Sequence, residues 1–135
     1  MAHWLFKEEP THYSFDDLVR DGKTVWDGIR NNLALKHLRE VKKGDRVLYY
    51  HTGKEKAVVG VMAVTRGAYP DPQEQDERLV VVEVKPVARL ARPVTLATLK
   101  ADKRFGDFPL VRISRLSVMP VTADQWKGIE EIAAE

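Results

Sequence analysis

The residues of this chain whose types and spacing could do chemistry are aromatic rings set beside short polar side chains. Trp26 precedes the turn pair Asp27-Gly28, and Tyr49, Tyr50 and His51 run together just before the polar segment Thr52 to Lys56. Large rings with a polar tip suit a flat heterocycle, because stacking on an aromatic side chain contributes about 1–3 kcal/mol per base. Asp27, Arg30 and Asn31 could then read the hydrogen-bonding edge of such a ring. Packing competes with this reading at each position, since tryptophan and tyrosine also fill cores and rims. Tyr49 and Tyr50 point to opposite sides of a strand, so at most one of them faces a given pocket. Ser14 reads equally as a helix cap, Arg30 with Asn31 as a helix start, and His51 as a strand-end residue with its own partners. Trp4 and Trp126 are assigned to the core.

Other chemistries find little support. The eight glycines are scattered, with no phosphate-cradling loop and no dinucleotide fingerprint. His3, His12, His37 and His51 never fall one helical turn apart with a carboxylate beside them, so no metal is expected. There is no cysteine, which removes disulfides, thiolate ligands and a thiol nucleophile together. No serine sits in a nucleophile elbow. Glu8 and Glu9 are neighbours on a strand and face opposite ways, a poor arrangement for an acid and base pair, so they read as solvated charges at a strand end. No cofactor is expected.

Lys and Arg number 22 against 20 Asp and Glu, for a formal charge of +2. A protein that bound duplex backbone mainly by counterion release would carry a larger basic excess, so any specificity must come from a pocket. With 135 residues, 44% hydrophobic and 31% charged, the chain is expected to fold as one domain over residues 1–135. No apolar run approaches membrane-spanning length, and Met1 to Pro10 mixes aromatics with Lys7, Glu8 and Glu9 rather than forming a signal-peptide core. A cytoplasmic location without membrane contact is the expectation.

These residues need elements to hold them. The spacing predicts a first strand over His3 to Lys7, with Trp4 and Phe6 on one face, and a helix capped by Ser14 and ended by Gly22. Val25 and Trp26 form a brief extended piece. Asn31 or Asn32 caps a second helix, whose Leu33, Ala34, Leu38 and Val41 give an apolar stripe before Gly44. Arg46 to His51 and Val58 to Thr65 read as a hairpin, Tyr69 to Arg78 as a loop, and Leu79 to Leu90 as a long strand. Pro86 within it argues for an edge or a bulge. A short helix over Thr95 to Lys100, a strand over Arg115 to Val121 and a closing helix capped by Thr122 complete an α+β domain: one curled mixed sheet with helices outside.

The blocks Trp4-Leu5-Phe6-Lys7-Glu8-Glu9-Pro10, Tyr13-Ser14, Val25-Trp26-Asp27-Gly28-Ile29-Arg30-Asn31 and Gly44-Asp45-Arg46-Val47-Leu48-Tyr49-Tyr50-His51 resemble, in order, those of the EVE domain family. So do Val59-Gly60-Val61, Ala68-Tyr69-Pro70-Asp71-Pro72, Val84-Lys85-Pro86-Val87 and Arg115-Leu116-Ser117-Val118, and together they span nearly the whole chain. The resemblance implies a PUA-like fold, a pseudo-barrel of curled mixed β-sheet flanked by helices. It also implies kinship with YTH domains, which read methylated adenine in RNA with an aromatic cage, and a role in reading modified bases such as modified cytosine in DNA. Trp26 falls where YTH domains place a first cage tryptophan, with Tyr50 and His51 beside the pocket. Arg78 and Leu79 stand where relatives often carry an aromatic, leaving either an incomplete cage or an apolar wall from Leu79.

The function expected is non-catalytic binding of DNA or RNA with a modified or flipped base. Trp26 and Tyr50 would wall the pocket, Tyr13 and Leu79 would line it, and Ser14, Asp27, Asn31 and His51 would supply hydrogen bonds. Arg20, Arg30, Lys36 and Arg39 would touch backbone phosphates. Two rivals stay open at this point: an enzyme acting on a nucleobase or small metabolite with His51 and Asp27 as acid and base, and an accessory domain that binds RNA through its surface.

Overall fold

Alternation along the first strand, β1 (His3–Glu8), sends Trp4, Phe6 and Glu8 to one face and Leu5 and Lys7 to the other. Trp4, Leu5 and Phe6 are all buried, so this strand lies inside the sheet with both faces covered. The computed structural model describes residues 1–135. The chain leaves β1 through a turn and enters α1 (Phe15–Asp21), where the Ser14 hydroxyl accepts the Asp17 N–H and the Asp17 carboxylate accepts the Ser14 N–H. Gly22 ends α1 in the left-handed conformation that glycine alone adopts without penalty, at φ 81°.

A three-residue strand, β2 (Thr24–Trp26), leads through Asp27-Gly28 to α2 (Asn32–Arg39). Asn31 rather than Asn32 caps α2, its side-chain oxygen accepting the Ala34 N–H at 3.0 Å. Next come β3 (Arg46–His51), β4 (Ala57–Pro70) and β5 (Val80–Thr95), then α3 (Leu96–Ala101), a 3-10 turn (Lys103–Phe105), α4 (Pro109–Arg112), β6 (Val118–Pro120) and α5 (Ala123–Ala134).

These strands form one sheet in the order β2-β5-β4-β3-β1-β6, with β1 and β3 parallel and the remaining pairs antiparallel. Register shifts interrupt the long β4–β5 ladder at several points, and such bulges bend strands and increase their twist. Pro86 pairs with Met62 beside one of these shifts, so the bulge reading of that proline holds. The α+β architecture expected from the sequence is the one observed.

The two faces have different covers. Phe15 of α1 meets Tyr49 edge-on at 5.5 Å and His37 of α2 lies 6.4 Å from Trp4, so α1 and α2 cover the face of Phe6 and Tyr49. On the other face Trp126 of α5 packs on His3 at 4.6 Å, and Leu110 and Val111 of α4 stand beside Tyr50. No helix is long and apolar enough to cross a membrane.

Some boundaries differ from expectation. Strand β4 runs on to Pro70 and β5 to Thr95, because their mutual pairing carries extended backbone through residues that read locally as loop. The last strand shrinks to Val118–Pro120, the length that pairs with β1. The 3-10 turn and α4 add to the elements expected from the sequence. They are too short for periodicity to reveal, and they exist to bury Phe105, Phe108 and Leu110.

Candidate functional site

Trp26 is held by tertiary contacts on two sides. Strand β2 pairs it with Val82, and its indole, 4% exposed, packs against Phe6 at 5.4 Å and edge-on against Tyr49 at 5.3 Å. The ring is therefore largely interior, yet it also lines a cleft of about 170 Å³ together with Glu8, His12, Tyr13, Thr24 and Asp27. That volume is below the roughly 300 Å³ where pockets for drug-sized ligands begin, and it suits a single small ring.

The cleft is rich in hydrogen-bond acceptors. Glu8 Oε1 accepts the Glu9 N–H at 2.9 Å and faces His12 Nδ1 at 3.2 Å, while Oε2 has no partner. The Asp27 carboxylate is exposed and takes no hydrogen bond from the protein. The half-buried Tyr13 forms one wall, and its hydroxyl donates to Asp21 at 2.8 Å. Burial, and then that hydrogen bond to a carboxylate, push the Tyr13 pKa up, so the phenol keeps its proton.

Strand β3 supports the wall from beneath. The Tyr49 hydroxyl donates to the Tyr13 carbonyl, and burial, reinforced by the nearby Glu8 charge, raises the Tyr49 pKa and keeps that donor protonated. His51 Nε2 accepts the Phe15 N–H at 3.0 Å, which leaves Nδ1 to carry the ring proton and donate to Glu55 at 2.7 Å. Both ring nitrogens are thus engaged, and His51 is buried.

Of the pocket residues expected from sequence, the structure brings together Tyr13, Trp26 and Asp27. Tyr50 is a correction. The parallel register sets Tyr49 beside Phe6 and Tyr50 beside Lys7, so Tyr49 meets Trp26 while Tyr50 lines a separate hollow on the opposite face of the sheet. Ser14 and Asn31 spend their side-chain oxygens on helix caps. His51 does not line the cleft that holds Asp27, and the acid and base pair of the enzyme reading is not assembled. Leu79, 4% exposed, packs at a narrow crevice with Gly28, Ile29 and Arg30 and gives no wall to the cleft.

The proposed phosphate contacts divide in a similar way. Arg20 pairs with Asp17 and Asp21, Arg30 pairs with Glu74 at 2.8 Å, and Arg39 donates to the Arg78 carbonyl, so each guanidinium is already engaged. Lys36 is exposed and without a partner. No group of three or more His, Asp or Glu side chains gathers where a metal could bind.

Sequence reasoning missed Glu8, His12 and Thr24 and, of the two adjacent tyrosines it weighed, took Tyr50 where Tyr49 supports the cleft. A signal for Glu8 was present, since it follows Trp4 and Phe6 at the same period-two spacing and so continues the face against which Trp26 packs.

An EVE domain model matches residues 2–132. Human thymocyte nuclear protein 1 is 31% identical over 159 residues, an alignment covering 93% of this chain and 71% of that protein. Among solved structures, Rpa0253 from Rhodopseudomonas palustris superposes with a TM-score of 0.94 at 41% identity, covering 99% of this chain and 94% of the other. The human THYN1 protein in complex with 5-methylcytosine containing DNA superposes with a TM-score of 0.90 at 28% identity, covering 100% of this chain and 99% of the other. The curled mixed sheet is thus PUA-like, as the resemblance implied. With its residues matched almost from end to end, this chain belongs to the EVE domain family.

Proposed function

We propose that this chain binds DNA and recognises a modified cytosine without transforming it, holding the base in the cleft of Tyr13, Trp26 and Asp27. The observation that carries this reading is the match, along the whole chain, to a human relative solved with 5-methylcytosine containing DNA. The chemistry of the cleft agrees with it. Cytosine presents an exocyclic amine as a donor, and Asp and Glu are the side chains suited to accept from it. Asp27 and Glu8 Oε2 are the acceptors free to do so. The Tyr13 ring, with the 4% of Trp26 that stays exposed, offers apolar surface for a pyrimidine and its methyl group.

The size of the cleft has a further consequence. Room for one ring means that the base enters unpaired, and extrusion from a duplex costs a few kcal/mol, so single strands and mismatched sites bind more readily than matched duplex. The same carboxylates repel phosphate, which keeps the backbone outside.

Fluorescence anisotropy with single-stranded oligonucleotides bearing one 5-methylcytosine, cytosine or thymine tests the proposal. The expected order is 5-methylcytosine tightest and thymine weakest, because thymine lacks the amine. Asp27→Ala, at an exposed turn, is expected to remove the discrimination against thymine. Equal weak binding of all three strands, unchanged by Asp27→Ala, would reject base reading. Steeply salt-dependent binding without base preference would favour a surface-binding accessory domain instead.

A further inference from the structure

Lys7 leaves β1 on the face opposite Glu8, so the two side chains flank one strand end, with Cα atoms about 3.8 Å apart. Glu8 borders the Trp26 cleft. Lys7 borders the hollow of Tyr50, a space of about 270 Å³, where its Nζ donates to the Ser114 carbonyl at 3.0 Å and stands 5.8 Å from the Tyr50 ring centre. Tyr50, Leu96 and Leu110 give that hollow an apolar floor, and Lys56 and Lys100 stand on its rim. A second hollow of about 430 Å³ shares Lys56, Leu96 and Lys100 with the first and adds Lys54, so the two form one trough.

The trough carries more positive than negative charge. Lys7, Lys54, Lys56 and Lys100 form no ion pair, as is true of most lysines of the chain, and what sets these four apart is that they gather around one trough. Its one carboxylate, Glu55, accepts from His51 and offsets one of the four ammonium charges, leaving an excess of three. In a chain of net charge +2, a cluster of four unpaired ammonium groups is a local excess that an anion would relieve. An aromatic and aliphatic floor between cationic rims fits a nucleotide strand, with its sugar and base on the floor and its phosphates at the lysines.

We propose that the trough of Lys7, Lys54, Lys56 and Lys100 holds the phosphodiester backbone of the strand whose base enters the Trp26 cleft, the two sites meeting at the end of β1. This rests on the base-reading proposal and assigns the backbone to a different surface from Arg20 and Arg30, whose charges are paired with carboxylates, and from Arg39, which donates to the Arg78 carbonyl.

The test measures affinity for a single-stranded 5-methylcytosine oligonucleotide against salt concentration. It compares the full chain with two matched triple variants. One carries Lys54→Gln, Lys56→Gln and Lys100→Gln in the trough; the other carries Lys42→Gln, Lys43→Gln and Lys127→Gln, three exposed lysines outside it. Each phosphate contact on a single strand contributes a slope of about 0.7 in log K against log salt, so the trough variant is expected to lose about 2 of that slope. The control is expected to keep the slope of the full chain, and both variants the preference for 5-methylcytosine over cytosine. Equal changes in slope for the two variants, or none in the trough variant, would overturn the trough. A reduced slope in the trough variant alone, with no base preference in any protein, would sustain the trough and overturn base reading. Absence of oligonucleotide binding by the full chain would overturn both.

Discussion

A carboxylate buried among N–H donors shows how much one residue can organise here. Asp45, 5% exposed, accepts from Trp4 Nε1 at 2.9 Å, from the Lys42 N–H at 2.9 Å and from the Ala2 N–H at 3.0 Å. Burial opposes its ionisation, but the hydrogen bonds outweigh burial and hold the pKa below the usual carboxylate range. A depressed folded pKa contributes stability that is present above the unfolded value, about 3.9, and is lost as pH falls through the folded value. Asp45→Asn turns an amide NH₂ toward N–H donors and is expected to cost about 1–3 kcal/mol at neutral pH by urea unfolding. Its deficit relative to the native chain should narrow as pH drops below about 4. Trp26 belongs to the same scale with a different balance. It packs between Phe6 and Tyr49, so Trp26→Ala is expected to destabilise the fold by about 3–5 kcal/mol, and binding lost with it would mix stability with recognition. Asp27→Ala separates them, because exposed substitutions change stability by only about 0.5 kcal/mol while one lost base contact removes about 1–3 kcal/mol of discrimination.

Between elements, the cleft depends on how β3 grips the segment that leads into α1. His51 binds the first amide of α1 and Tyr49 the Tyr13 carbonyl, so two side chains of one strand fix the wall that Tyr13 presents. His51→Ala leaves the Phe15 N–H without its partner, at an expected cost of about 1–3 kcal/mol. Amide exchange at Phe15 should accelerate more than exchange in α5, which His51 does not touch; equal acceleration would mean global destabilisation alone. The contact of α1 with the sheet has its own requirement. A Cβ at Gly60 would fall 2.5 Å from the Phe15 ring, so Gly60→Ala forces that ring to move. The expected loss is about 1–3 kcal/mol in thermal or denaturant unfolding. Phe15→Leu combined with Gly60→Ala should lose less than the sum of the single changes, the mark of direct coupling.

At the level of the whole molecule, one cluster of 33 buried hydrophobic residues runs from β1 to α5 and includes both Trp4 and Trp26. Such a shared core predicts a single cooperative transition, with tryptophan fluorescence and far-UV circular dichroism coinciding on denaturation; separated curves would show independent units. The strand at His3, the Ser14 and Thr122 caps, the stop at Gly22 and the hairpin of β3 with β4 were all legible in the sequence. Caps, turns and periodicity act among residues a few positions apart, so their signals lie side by side in the chain. The ordered EVE blocks likewise identified the fold. The partition of the aromatic residues was not legible. Choosing Tyr49 over Tyr50 as the neighbour of Trp26 required the parallel register of β1 with β3, and a strand alternates its faces without saying which one meets a distant ring. The meeting of Glu8 with His12, Tyr13 and Asp27 in one cleft, the displacement of Leu79 and the lysine trough follow the same rule, because each depends on packing between separate elements. By itself, then, the sequence determined the elements, their ends and the family they spell. The tertiary structure decided which side chains share a cavity, since that is set by register and packing between distant segments rather than by any local preference.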